Sequence, residues 1–117
     1  MKLKDYIKLL VLTLVIILIF TAIDAIFHIV IPEFAVPSWY FRNKIIYGTL
    51  IGFISLIFLR KKKIFIRSLL FSAIVTVPLQ IRYAYYGYPL YFHLFFIPAH
   101  FLILLGASYI IFKKFLK

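Results

Sequence analysis

Leu9-Leu-Val-Leu-Thr-Leu-Val-Ile-Ile-Leu-Ile-Phe-Thr-Ala-Ile23 is the stretch on which the fold turns. It carries no charge, and Thr13 and Thr21 are its only polar side chains. A helix in a soluble domain leaves one face to water; this run has no such face, so its surroundings are apolar on every side. Continued to the break at Pro32, it predicts a helix over residues 9–31, long enough to cross the hydrocarbon of a bilayer. Lys2, Lys4 and Lys8 ahead of it, and Ala22-Ile-Asp-Ala25 within it, give it the outline of a secretory signal. The run is long for that role and further apolar segments follow, so it reads as a retained helix.

Three more segments of the same kind lie downstream. The prolines of Ile31-Pro-Glu-Phe-Ala-Val-Pro-Ser38 make a connector, with Ser38 placed to cap a second helix over residues 39–60. The fully apolar part of that helix is short, so Arg42, Asn43 and Lys44 are expected to snorkel toward the outer interface beside Trp39 and Tyr40. Arg60-Lys-Lys-Lys63 is a tight turn into a third helix over residues 64–81. Arg82-Tyr-Ala-Tyr-Tyr-Gly-Tyr-Pro89 is a turn rich in interfacial tyrosine, leading to a fourth helix over residues 90–112. The fold class expected is all-α: one polytopic membrane domain over residues 1–117, an antiparallel bundle of four transmembrane helices.

Composition supports the same class. Of 117 residues 66% are hydrophobic, and Asp5, Asp24 and Glu33 are the only acids, too little polar surface for a soluble domain of this size. The absence of cysteine excludes disulfides, thiolate metal sites and cysteine nucleophiles. The net charge of +11 argues for anionic lipid headgroups and against nucleic acid, because the cations gather at the ends of apolar segments. With the N-terminus inside, Lys2, Lys4, Lys8, Arg60 to Lys63, Arg67, Lys113, Lys114 and Lys117 are cytoplasmic, and only Arg42, Lys44 and Arg82 face out. This bias places the chain in the cell membrane with both termini cytoplasmic.

Each helix also carries a small or polar stripe at helical spacing. Gly48, Gly52 and Ser55 on the second helix, with Ser68, Ser72 and Thr76 on the third, read as packing surfaces, with hydroxyls bonding across the interface. The glycine pair either closes the bundle or joins two copies of the chain. The ionisable stripe is different, because an acid or histidine at mid-bilayer costs about 2.5–3.5 kcal/mol and faces a partner. Asp24 and His28, Gln80 and Arg82, and His93 and His100 all fall in the outer half, and form the candidate site, with Pro78 and Pro98 in the same layer. Asp24 and His28 are expected to share a face that meets His100 or Arg82.

Four functions fit this stripe. The first is a structural or accessory membrane subunit, alone or in a larger complex, whose polar cluster locks the bundle. The second is ion, proton or small-solute binding and transport by a homo-oligomer, with a vestibule favoured over a full relay because the inner half holds no second acid. The third is a divalent metal on Asp24, His28 and His100, or haem on two of His28, His93 and His100. The fourth, an intramembrane enzyme, has the weakest basis: no motif marks a nucleophile, and Ser72 lies too deep to meet His28.

Overall fold

The computed structural model describes residues 1–116. Four helices form in chain order, α1 (Leu3–Val30), α2 (Trp39–Phe58), α3 (Ile64–Tyr85) and α4 (Leu90–Phe115), with a 3-10 turn at Pro32–Phe34. Each of the four is long and apolar enough to cross a membrane, α2 being the least apolar. The bundle measures 44 × 23 × 23 Å. Its long axis matches the roughly 42 Å expected of a 28-residue helix at 1.5 Å per residue.

The helix ends differ from the hydropathy reading for identifiable reasons. α1 starts at Leu3 rather than residue 9, because the Asp5 carboxylate accepts the Lys2 N–H at 3.0 Å and sits in the first turn, where the helix dipole favours an anion. α2 ends at Phe58. The buried Arg67 guanidinium then donates to the carbonyls of Leu59 at 3.1 Å, of Lys62 at 3.0 Å, and of Arg60, so the tight turn's carbonyls are held by a side chain of the next helix. α3 runs past residue 81 to Tyr85 and closes in a Schellman motif, with Tyr88 N–H on Tyr83 O at 3.2 Å and Gly87 N–H on Ala84 O at 3.0 Å. Gly87 has φ 79°, a conformation that favours glycine. α4 extends to Phe115 instead of 112. Ser38 does not cap α2 through its side chain; its own backbone is helical, and the Pro37 carbonyl takes the Tyr40 N–H.

The helices form a closed ring, α1 against α2 and α4, and α3 against α2 and α4. The contacts run antiparallel: Gly48 faces Ile17, Gly52 faces Thr13 and Phe71, and Phe71 meets Phe112. Two apolar cores follow. One, built on Ile16, Ile17, Phe20, Leu56, Phe71 and Leu104, fills most of the bundle. The other, of Tyr40, Tyr83, Phe92 and Phe96, lies at the end carrying the α1–α2 and α3–α4 connectors, called here the connector end. The opposite, lysine end carries the N-terminus, the α2–α3 turn and the end of α4.

Gly48, Gly52, Ser55, Ser72 and Thr76 all lie buried in the bundle. The glycines are therefore used within one copy of the chain, which removes this face as a seam for a second. The hydroxyls do not link helices as expected. Thr13 donates to Leu9 O, Ser68 to Ile64 O and Ser72 to Ser68 O, each within its own helix.

A Cβ on Gly52 would lie 2.8 Å from both Phe71 Cε2 and Thr13 Cγ2, whereas one on Gly106 meets nothing within 4 Å. Gly52→Ala is therefore expected to destabilise the bundle by about 1–3 kcal/mol and Gly106→Ala to leave it unchanged or firmer. Thermal unfolding in detergent measures both.

Candidate functional site

Asp24 occupies the sixth turn of α1, fully buried. A carboxylate in such surroundings must find partners, and here side chains of three helices meet it. His28, one turn on, places Nε2 3.1 Å from Asp24 Oδ2. His100, from α4, places Nε2 2.8 Å from Asp24 Oδ1. From α2, Lys44 Nζ donates to Oδ2 and, at 3.0 Å, to the Tyr83 hydroxyl of α3. Asp24 thus ties α1 to α2 and α4 directly, and to α3 through Lys44.

A second set of bonds supports the first. The Gln80 amide donates to His100 Nδ1 at 2.9 Å, and its carbonyl oxygen accepts from His93 Nδ1 at 3.1 Å. On the far side His28 Nδ1 donates to Phe34 O at 2.7 Å, in the 3-10 turn of the first connector. Pro32 opens that turn, and its fold-back sets the Phe34 ring on Phe95 (4.7 Å) and Phe96 (5.0 Å), over the site. The rings of Phe96, stacked on His28 at 4.4 Å, and of Phe20, edge-on to His100 at 5.2 Å, exclude water from both imidazoles.

The structure brings Asp24, His28, Gln80, His93 and His100 into one chain of hydrogen bonds. It leaves Arg82 out. Two residues beyond Gln80, Arg82 is turned roughly 200° around α3. Its guanidinium lies among the rings of Tyr86 (5.5 Å), Trp39 (5.8 Å) and Tyr47 (5.9 Å). Lys44 corrects the reading in the other direction. Expected to snorkel, it is buried at 3% exposure and is the cation that meets Asp24. The signal was present: Tyr40, Lys44, Gly48 and Gly52 recur every four residues, so the lysine lies on the glycine face that packs inward. Tyr83, also missed, follows Thr76 by seven residues on the inward face of α3.

Donor and acceptor roles around Asp24 can be assigned. Gln80 gives an N–H to His100 Nδ1, so His100 carries its proton on Nε2 and donates it to Asp24. His28 has Nδ1–H committed to the Phe34 carbonyl, a pure acceptor. A neutral His28 would then aim a lone pair at the Asp24 carboxylate, two acceptors face to face. The contact is favourable only with one more proton between His28 Nε2 and Asp24 Oδ2. Without it, the same Nε2 has one alternative donor, the Tyr83 hydroxyl at 3.4 Å.

Asp24, His28 and His100 each offer a ligand atom within 4.8 Å of the others. Around a tetrahedral ion such atoms lie about 3.3 Å apart. The side of Oδ2 that an ion would approach is held by the Lys44 ammonium, itself a cation. Phe96 packs against both imidazoles, 4.4 Å from the His28 ring and 5.1 Å from the His100 ring. Ser72 bonds to its own helix and takes no part in the network.

No family model, curated protein or solved structure matches the chain.

Removing one partner of a buried ion pair costs about 3–5 kcal/mol, because the other charge is left unpaired. Asp24→Asn and Lys44→Met are each expected to lower thermal stability in detergent. The double variant should lose clearly less than the sum of the two.

Proposed function

We propose that the chain is a multi-pass membrane protein with four spanning helices and cytoplasmic termini, and that Asp24 and His28 form a proton-binding centre at its core. The orientation rests on the concentration of cations at the lysine end. The proton-binding reading rests on the acceptor-to-acceptor contact between His28 Nε2 and Asp24 Oδ2, which one proton relieves. Two hydrogen-bond arrangements of nearly the same heavy-atom positions then differ by that proton. In one, His28 donates to Asp24; in the other, Tyr83 donates to His28 while Lys44 holds both Tyr83 and Asp24.

The centre is one-sided. His93, half-buried at the connector end, begins the chain that leads through Gln80 and His100 to Asp24. Toward the lysine end the next layers are Phe20, Ile16 and Ile17, and the hydroxyls beyond them bond within their own helices. This supports proton-linked binding from the outer face and gives no support to a continuous conduit. A lock alone would need one ion pair. Seven polar side chains converge here (Asp24, His28, Lys44, Gln80, Tyr83, His93 and His100), and intramembrane ionisable groups of this kind mark function by default.

The test is a titration of purified protein between about pH 5 and 8, followed by proton uptake and by the infrared carboxyl and imidazole bands. The wild type is expected to take up one proton per chain, with both Asp24→Asn and His28→Gln abolishing the uptake. Uptake unchanged in Asp24→Asn would sink the proposal. So would a stoichiometric divalent metal in the purified protein, which would assign the three ligand atoms to an ion. If no proton and no metal is bound, the network is a structural lock in an accessory subunit.

A further inference from the structure

Between α2 and α3, backed by Lys44 and Tyr83 of the Asp24 network, lies a cavity of about 170 Å³. It is similar in size to an engineered apolar cavity, about 150 Å³, that admits benzene. Its wall on one side is Ile51, Val75 and Leu79; at its other end stand Tyr40, Asn43, Tyr47 and Arg82, with Lys44 at the back. The α2–α3 seam is the loosest of the ring. Gly48 and Pro78 line the cavity there, and Pro78 has no N–H to give to the α3 ladder.

The cavity has a charge without a partner. The ion pairs of the described residues all converge on Asp24, which neutralises Lys44. Arg82 has only aromatic faces around it, and its Nε is a buried donor with no acceptor. Such a donor is a standing demand for an oxygen. Beside the lining residues along each helix stand exposed apolar ones: Leu50 next to Ile51 on α2, and Val77 and Ile81 next to Pro78 and Arg82 on α3. Whatever reaches Arg82 by this route comes through apolar surroundings. Trp39, Tyr85 and Tyr86 beside it are the aromatics of a membrane–water boundary, the depth at which headgroups lie.

We infer that the α2–α3 cleft binds an anionic phospholipid of the surrounding bilayer, its phosphate on Arg82 and Asn43 and one acyl chain along Ile51, Val75 and Leu79. Charge complementarity selects the anion, and the apolar rim and wall select a lipid over a free phosphate. Arg82 takes no part in the Asp24 hydrogen bonds, so variants at Arg82 test this site apart from the proton-binding centre, although Lys44 and Tyr83 border both.

Trp39, the chain's one tryptophan, has its ring 5.8 Å from the Arg82 guanidinium and reports on the site. The experiment is quenching of Trp39 by brominated phosphatidylglycerol or brominated phosphatidylcholine in phosphatidylcholine bilayers holding the intact protein. The wild type is expected to favour the anionic lipid by about fivefold, the worth of one cation near an anionic surface. Arg82→Gln should lose this preference and Arg82→Lys keep part of it. Ile51→Phe, which fills the cleft and leaves the charge, should also weaken it, while Lys61→Gln/Lys62→Gln at the far end should not. Equal quenching by the two lipids, or preference retained in Arg82→Gln or Ile51→Phe, overturns the inference. Displacement of the brominated lipid by millimolar inorganic phosphate overturns it too, and would make the site one for a free anion.

Discussion

The Lys44–Asp24 ion pair is the constraint on which the rest of this bundle depends. Both side chains are out of reach of solvent, and an isolated carboxylate or ammonium in such a place would be prohibitively unfavourable. Each therefore dictates the position of the other, and with it the rotation of α2 against α1. The carboxylate still has lone pairs to satisfy after the lysine is placed, and His100 supplies a donor, which brings in α4. The ammonium has further protons, and Tyr83 accepts one, which brings in α3. Desolvation makes an incomplete version of this arrangement costly, so the network orders all four helices at once.

The two ends of the molecule solve different problems. At the lysine end the lysines stay at the surface and the backbone is closed locally, by Asp5 on the start of α1 and by the buried Arg67 on the carbonyls beyond α2. The middle is apolar and its hydroxyls stay within their own helices, which lets Gly48 and Gly52 bring α2 close to α1 without polar demands. Polar chemistry is confined to the connector half. There the 3-10 turn and a cluster of phenylalanine and tyrosine rings keep water from a group of ionisable side chains, which strengthens every electrostatic interaction inside.

Lys44 and Arg82 show how one cation type is divided between roles by geometry alone. Both belong to the connector half, and both line the α2–α3 cleft. Lys44 reaches across to Asp24, its slender stem passing close to the Phe20 and Tyr83 rings. Arg82, broader and planar, lies among Trp39, Tyr47 and Tyr86, an arrangement suited to a guanidinium and less so to an ammonium. The result is one neutralised cation inside the bundle and one uncompensated cation at its flank.

Length and hydropathy by themselves determined that four helices form, where the chain turns, and that any ionisable chemistry lies in one half of the bundle. Those properties are local: an apolar run of sufficient length is helical whatever packs on it, and Pro32, Pro37, Gly87 and Pro89 interrupt it without reference to partners. The Asp24–His28 pair was legible for the same reason, being one turn apart on one helix. The helix ends were misjudged where distant groups set them, as Arg67 does after α2. Only the tertiary structure decided which cation meets Asp24. Arg82 and Lys44 are equally basic in the sequence, and the choice between them rests on how far each helix is rotated. That rotation is fixed by contacts between residues distant in the chain, the Lys44–Asp24 pair together with the approach of Gly48 to Ile17 and of Gly52 to Thr13.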